Sequence, residues 1–595
     1  MFMNSKKVED FFALIIFTAM AFFPAIETIA RIFGTNIIPA SQAIVQHCTL
    51  WIGFLGAVLA ARRNKLLSLT REPIFNQENN IHFGRWLAKA ISFIVIISLA
   101  WGSFNLLKIE YTYPFDIAPN IPRWFAMLIM PIGFILMAIQ IFFKSYKNNI
   151  HRFTLIITSI IFIILSSNEY LRDFDPLVWI FLGLILVALI YGAPIFTGMG
   201  GAAVILFWAD YTSISAIPAE AYRIVVNPTL PTIPLFTLAG YLLAESRASS
   251  RLVNVFRSLF GWIPGGTPVI VVLLCAFFTA LTGGSGVTIL ALGGLLLPLL
   301  IKEGYNRTFA LGLITVSGSI GLLFPPSLPA IIYGVTAGIS VKKVFIAGLV
   351  PGTLLVIMIS VYAFIQGRTQ KVKIHPFDLN IAVKTCLMTA WELIIPILIL
   401  LGVFGGYTTL VETASIIVIY IFFIEIFVYK DITYKQLPSI IIDCATLIGG
   451  VLIILGIAMG LTSYLVDAQI PMLLLDWVKG AITSKYIFLL LLNLFLLAAG
   501  CLMDIFSAII IIVPLIKPLG VHFGLEPFHL AIIFIANMEL GFLTPPVGMN
   551  LFLAAYRFNE DMPRIYSSIF PFFIVKLVAV ILITYIPILT LGILN

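Results

Sequence analysis

The sequence predicts an all-α polytopic membrane protein built from inverted repeats with discontinuous helices. Three observations predict it. Hydrophobic residues fill 61% of the 595 positions and charged residues only 10%, with a mean hydropathy of +1.09, more apolar surface than a soluble core buries. Apolar runs long enough to cross a hydrocarbon layer of about 30 Å recur along the chain, and in such a layer only helices that close their own backbone bonds are stable. A Pro-Pro pair interrupts an apolar segment twice, in "GLLFPPSLPA" at 321 to 330 and in "GFLTPPVGMN" at 541 to 550.

The net charge of +8 reads as a bias of Lys and Arg toward cytoplasmic loops rather than as a surface for an anionic partner. The five cysteines lie scattered in apolar segments with no CxxC pair, so neither a disulfide framework nor a zinc site is indicated. The chain has no GxxxxGK[ST] and no HExxH, and its six histidines are spread singly, which argues against a nucleotide-driven pump and against an enzyme. A membrane-embedded enzyme remains an alternative that product chemistry would reveal.

Taken in order, Lys6 and Lys7 precede a first helix expected to remain uncleaved with its start in the cytoplasm. Apolar segments near 11 to 33, 41 to 60, 90 to 107 and 122 to 143 follow, and the basic loops "ARRNK" (61 to 65) with Arg85 and Lys89, then Lys144, Lys147 and Arg152, fall on the same side as the N-terminus. A fifth segment, 153 to 167, changes the parity. Arg247, Arg251 and Arg257, Lys302 with Arg307, "GRTQKVK" (367 to 373), Lys430 with Lys435, and Arg557 with Arg564 then stay cytoplasmic only if the stretches near 268 to 301 and 486 to 517 are re-entrant hairpins. The total is about 15 transmembrane helices plus two hairpins, with the C-terminus on the far side.

The two Pro-Pro sites share the pattern G-x-x-x-P-P, opened by Gly321 in the first and by Gly541 in the second. Upstream, Gly284 precedes Pro298 by the same interval at which Gly500 precedes Pro514. Matched spacings indicate duplication, and the crossings between the two sites make the repeats inverted. Paired broken helices in inverted repeats point to a mid-membrane site, because unwound carbonyls need an ion or substrate. A Pro-Pro pair that merely kinks a helix is the simpler reading of either instance alone.

The small-residue tip "TGGSGVTIL" (282 to 290) lets oxygens approach a desolvated hard cation such as Na+. Gly284, Ser285, Gly286 and Thr288 with Pro325 and Ser327 form one candidate cation site; Asp504, Ser507, Thr544 and Pro545 form the other. Ser285, Pro326, Pro546 and Asn550 are the candidate substrate contacts. Asp504 lies at membrane depth, where a charge is costly and functional by default. Glu539 either lines the pathway or pairs within the bundle. Glu392, Glu412, Glu425, Asp443 and Asp467 are read as pairing or snorkelling side chains.

At these residues the sequence resembles a fused membrane component of the tripartite ATP-independent periplasmic (TRAP) transporters. The stretches 282 to 334 ("TGGSGVTILALGGLLLP…") and 503 to 552 ("MDIFSAIIIIVP…"), with "IPLFTLAGYLLAES" (233 to 246), resemble the large subunit, and "LWIGFLGAVLAARR" (50 to 63) resembles the small one. The resemblance implies residues 1–150 as a four-helix small-subunit scaffold, 151–175 as a fusion helix and linker, and 176–595 as the transport domain. It also implies an elevator-type mechanism, uptake driven by Na+, and residence in a bacterial inner membrane. The implied partner is a periplasmic substrate-binding protein that delivers a small organic acid, usually a carboxylate. The runner-up is a stand-alone ion-coupled anion transporter without a binding protein.

Overall fold

The computed structural model describes residues 2–35, 37–38, 40–68, 78–119, 121–145, 157–158, 172, 175–370, 376–545 and 548–594. The chain forms two compact units, one of Met1–Pro234 with Ile441–Pro471 and one of Leu235–Ile440 with Met472–Asn595. Helices dominate both; the described strands are one two-stranded ribbon.

In the first unit, α1 (Phe2–Ile32), α2 (Ser41–Arg63), α3 (Glu78–Thr112), α4 (Arg123–Met127) and α5 (Ile129–Ser145) realise the four N-terminal apolar segments. The ribbon of β1 (Asp116–Ala118) and β2 (Ile121–Pro122) joins α3 to α4. Helix α2 packs against α1 and α5, and α5 against α3. Arg62, at the end of α2, pairs with Glu9 at 2.7 Å and with Asp10 of α1, fixing the charged ends of the two helices together. Helices α6 (Asp175–Ile190), α7 (Ile195–Ala209) and α8 (Ala216–Val225) follow. The expected joining helix at 153 to 167 lies outside the described residues apart from Ile157 and Thr158.

A helix from much later in the chain, Leu437–Asp467 (α19 in chain order), completes this unit. A Cβ on Gly449 would fall 2.0 Å from the Gly56 carbonyl carbon, and one on Gly56 would fall 2.1 Å from the Ala445 carbonyl oxygen. Only glycine on both sides allows so close a crossing, the usual means by which helices associate in lipid. Arg63 pairs with Asp443 at the same interface, so Asp443 is a pairing residue.

The second unit contains α9 (Thr232–Glu245, entering from the first unit), α10 (Ala248–Phe260), α11 (Gly266–Thr282), α12 (Ser285–Glu303), α13 (Arg307–Ser317), α14 (Leu328–Ala337) and α15 (Val341–Arg368). After α16 (Leu379–Met388), α17 (Ala390–Phe404) and α18 (Leu410–Phe423) come α20 (Ile470–Ala481), α21 (Lys485–Leu502), α22 (Ile505–His522), α23 (Pro527–Gly541), α24 (Met549–Phe558), α25 (Met562–Tyr585) and α26 (Ile588–Leu591).

The helices α11 to α15 and α21 to α25 pack reciprocally. Helix α12 lies along α24 as α22 lies along α14; α13 lies along α25 as α23 lies along α15. An exchange of partners in both directions is what a pseudo-two-fold axis generates. One constant shift along the chain relates the N-caps Gly284 and Asp504, the helix starts Arg307 and Pro527, and the glycines Gly321 and Gly541. It also pairs Pro298 with Pro518 and Ala280 with Gly500. The sequence-derived match of Gly500 and Pro514 to Gly284 and Pro298 is therefore about one helical turn out of register, and Gly500 lies inside α21 rather than at a tip. Packing explains why: a Cβ on Gly541 would fall 2.6 Å from the Gly500 Cα, as one on Gly321 would fall 2.6 Å from the Ala280 nitrogen. Gly500 is there for a helix crossing.

Among the described residues, 11 helices are long and apolar enough to cross a membrane, or up to 13 if each of two bent pairs is one span. One of these pairs is the Pro-Pro break, where Arg307–Leu323 meets Leu328–Ala337 at 42°. Short apolar helices such as Thr232–Glu245 and Pro527–Gly541 fall below the roughly 20 residues of a full crossing, and the expected segment at 153 to 167 lies almost wholly outside the described residues.

Candidate functional site

The first hairpin turns at Gly283 and Gly284. Gly283 has φ +67°, and a Cβ there would fall 2.2 Å from the Leu328 side chain; backbone conformation and space both require glycine. Gly284 is extended and caps α12. The buried hydroxyls of Thr279 and Thr288 are hydrogen-bonded at 2.8 Å, and Thr279 also reaches the Gly318 carbonyl at 2.8 Å. The Thr282 hydroxyl lies 3.5 Å from the Gly284 carbonyl and from the Thr288 hydroxyl. A compact set of hydroxyl and carbonyl oxygens thus forms where the hairpin meets the broken helix, and the buried Ser317 hydroxyl nearby in sequence has no hydrogen-bond partner.

The break after α13 runs through a 3₁₀ turn, Ile320–Leu323, and a cis Pro325–Pro326 bond. The Ser327 hydroxyl accepts from the Ala330 nitrogen and caps α14. Of the first predicted set, Thr288 belongs to the threonine cluster, whereas the Ser327 side chain serves its own helix. Gly286 is the point where α12 faces Leu553 of α24: a Cβ there would fall 2.6 Å from that side chain.

Ser285, 2% exposed, donates to the side-chain oxygen of fully buried Asn550 at 2.7 Å. The Asn550 Nδ2 group is buried and has no hydrogen-bond partner. A buried donor without an acceptor is costly by about 1–3 kcal/mol, so this amide is a natural partner for a ligand oxygen. Two of the four substrate candidates, Ser285 and Asn550, are thus brought together, one from each repeat.

In the second set, Asp504 caps α22. Its carboxylate accepts from the backbone nitrogens of Phe506 at 3.0 Å and Ser507 at 3.1 Å, and from the Ser507 hydroxyl at 2.6 Å. Thr544 bonds back to the Leu540 carbonyl at 3.1 Å, and the break is held to α21 by the Gly548 nitrogen donating to the Cys501 carbonyl at 3.1 Å. Pro545 is exposed, and Pro546 lies outside the described residues. Asp504 and Ser507 are brought together, while the hydrogen bonds of Thr544 stay within its own segment.

Sequence reasoning missed Lys576. This fully buried lysine of α25 pairs with Glu539 at 2.9 Å and donates to the Ser319 hydroxyl at 2.7 Å. A lone lysine inside the apolar run "FFIVKLVAV" was the available signal. Arg251 of α10 similarly gathers Glu392, Asp431 and, at 3.1 Å, Glu425, and Glu412 closes a capping box with Thr409 at the start of α18. Glu392, Glu425 and Glu412 are therefore structural partners.

The donors at the hairpin tips are hydroxyl, carbonyl and carboxylate oxygens, which suit a hard monovalent cation. Among the described residues no group of three or more His, Cys, Asp or Glu is placed to hold a metal ion.

Comparison with known proteins agrees with this architecture. The family described as "Tripartite ATP-independent periplasmic transporter, DctM component" matches residues 182–589, and "Tripartite ATP-independent periplasmic transporters, DctQ component" matches residues 20–148. The isethionate TRAP transporter permease protein DctMQ of Oleidesulfovibrio alaskensis is 28% identical over 588 residues, 96% of this chain and 92% of that one. The C4-dicarboxylate TRAP transporter large permease protein DctM of Pseudomonas aeruginosa is 32% identical over 67% of this chain and 93% of its own length. The 2,3-diketo-L-gulonate TRAP transporter large permease protein YiaN of Escherichia coli is 27% identical over 69% of this chain and 97% of its own. A four-helix N-terminal region matching one component, followed by a pseudo-symmetric bundle matching the other, makes this chain a member of the tripartite ATP-independent periplasmic transporter family, with the DctQ and DctM components joined in one polypeptide.

Proposed function

We propose that the chain is a sodium-driven importer of a small organic anion handed over by a periplasmic substrate-binding protein. The observation that carries this reading is the Ser285–Asn550 contact, where α12 of one repeat and α24 of the other meet at 2.7 Å beside an unpartnered amide donor. An anionic oxygen accepts from that amide; the threonine cluster and the Asp504 cap offer oxygens to Na+. Cation binding at both tips draws the hairpin ends onto the broken helices, so ion occupancy favours the closed form of the anion site.

The relatives named for isethionate, C4-dicarboxylates and 2,3-diketo-L-gulonate carry sulfonate or carboxylate substrates, and the same anionic class is proposed here. In the elevator reading, the two hairpins and two broken helices move as one body while the N-terminal helices belong to the static part. The protein sits in the bacterial inner membrane with its N-terminus in the cytoplasm and its C-terminus in the periplasm.

Uptake into proteoliposomes tests the proposal. An inward sodium gradient with a loaded binding protein should drive saturable accumulation. Accumulation without sodium removes the coupling claim, accumulation of free substrate removes the binding protein, and conductance without saturable uptake makes the protein a channel.

A further inference from the structure

The shift that superimposes one repeat on the other also relates Ser319 to Glu539, and these two side chains meet at the same ammonium, that of Lys576. All three residues are fully buried. On a pseudo-two-fold axis one group can serve both halves, and Lys576 does so from a helix that belongs to only one of them. Two features make its charge matter. Ser319 follows Gly318, whose carbonyl is part of the threonine cluster at the first hairpin tip. The Glu539 carboxylate makes no hydrogen bond beyond its ion pair with Lys576, so little besides that pair offsets the field of either group.

We propose that Lys576 is a tethered cation filling, permanently, the position where the two broken helices meet, and that its neutralisation by Glu539 sets the sodium affinity of the adjacent threonine-lined site. Lys576 is a positioning residue: it touches neither the free cation nor the substrate. The inverted repeat would otherwise present Ser319 and Glu539 to a free ion, and the lysine replaces that ion with one that never leaves. The two broken helices then stay bridged in every state of the cycle, whether or not sodium is bound at the tips.

This inference rests on sodium coupling, and its test separates the two. Sodium titrations of uptake are run on the wild-type protein and on Glu539→Gln, Lys576→Met and the double variant, in proteoliposomes with binding protein. Glu539→Gln leaves an uncompensated ammonium and should raise the half-saturating sodium concentration by about threefold or more; Lys576→Met leaves a carboxylate and should lower it or steepen the sodium dependence. The double variant, neutral at both positions, should return to within about twofold of wild type. Shifts of opposite sign are something a purely structural pair would not produce.

Equal sodium dependence in all variants, or shifts of the same sign in both single variants, overturns the proposal. Wild-type uptake indifferent to sodium instead overturns the coupling itself. Should the single variants fail to accumulate, Ser319→Asp adds a second carboxylate beside the ammonium and should lower the half-saturating concentration; an unchanged value there also overturns the proposal.

Discussion

Ser285 at the start of α12 and Asn550 in α24 are hydrogen-bonded at 2.7 Å across the two repeats. Ser285→Ala removes the hydroxyl and leaves Asn550 with neither side-chain partner. A buried hydrogen bond of this kind contributes about 1 kcal/mol, so the substrate or sodium concentration for half-maximal uptake should rise several-fold. Asn550→Ala should act similarly, and the double variant less than additively, because both lose one contact. Uptake titrations check this; full additivity would place the two residues in separate sites.

Asp504 is an N-cap and a proposed cation ligand. Asparagine caps a helix about as well as aspartate, whereas alanine costs roughly 1 kcal/mol. Asp504→Asn should therefore retain wild-type thermal stability while weakening sodium binding and severely reducing uptake. Asp504→Ala should lose both. Thermal melting of purified protein alongside sodium-dependent uptake separates the roles, and wild-type sodium dependence in Asp504→Asn would leave Asp504 as a cap only.

Gly541→Ala should destabilise the protein without touching a proposed ligand. Its Cβ would fall 2.6 Å from the Gly500 Cα, and backbone on both sides cannot yield as a flexible side chain would. Overpacking of this kind costs about 1–3 kcal/mol. A lower melting temperature is the expected result, and unchanged melting would mean that α21 and α23 separate readily.

Arg251→Ala leaves Glu392 and Glu425 buried and removes the ion-pair partner of Asp431. Breaking a buried ion cluster by removing its one cation costs about 3–5 kcal/mol, so the variant should accumulate poorly. Arg251→Lys cannot reach three carboxylates from one fork and should fall between the two. Expression level and melting temperature provide the measure.

The broken helices are legible in the sequence because proline and glycine state backbone geometry directly. Pro325 and Pro326 announce an interruption that no packing can hide, and the helix does break there. The register of the second hairpin is harder to read: Pro514 and Pro518 both lie in α22, and the N-caps Gly284 and Asp504, together with the helix crossing at Gly500 and Gly541, show which one matches Pro298. Asp504 and Asn550 stand out as polar groups at membrane depth, but the Ser285 contact depends on how α12 and α24 pack. Lys576 escapes notice because one residue in a long apolar run barely alters its hydropathy, although its charge is the clue. Partnerships such as that of Arg251 with Glu425 join residues 174 positions apart, which no local pattern announces.

The crossing of Gly56 with Gly449 sets an order of events during biosynthesis. Their contact joins the second helix of the chain to one made only after most of the polypeptide, so α2 enters the bilayer long before the ribosome has produced the helix that covers its glycine face. Until then that notch faces lipid or a chaperone, and the N-terminal unit is a half-built docking surface awaiting its last strut. Its completion is a late, long-range step, and a chain truncated before Ile441 should leave α1 to α5 inserted yet vulnerable to membrane proteases.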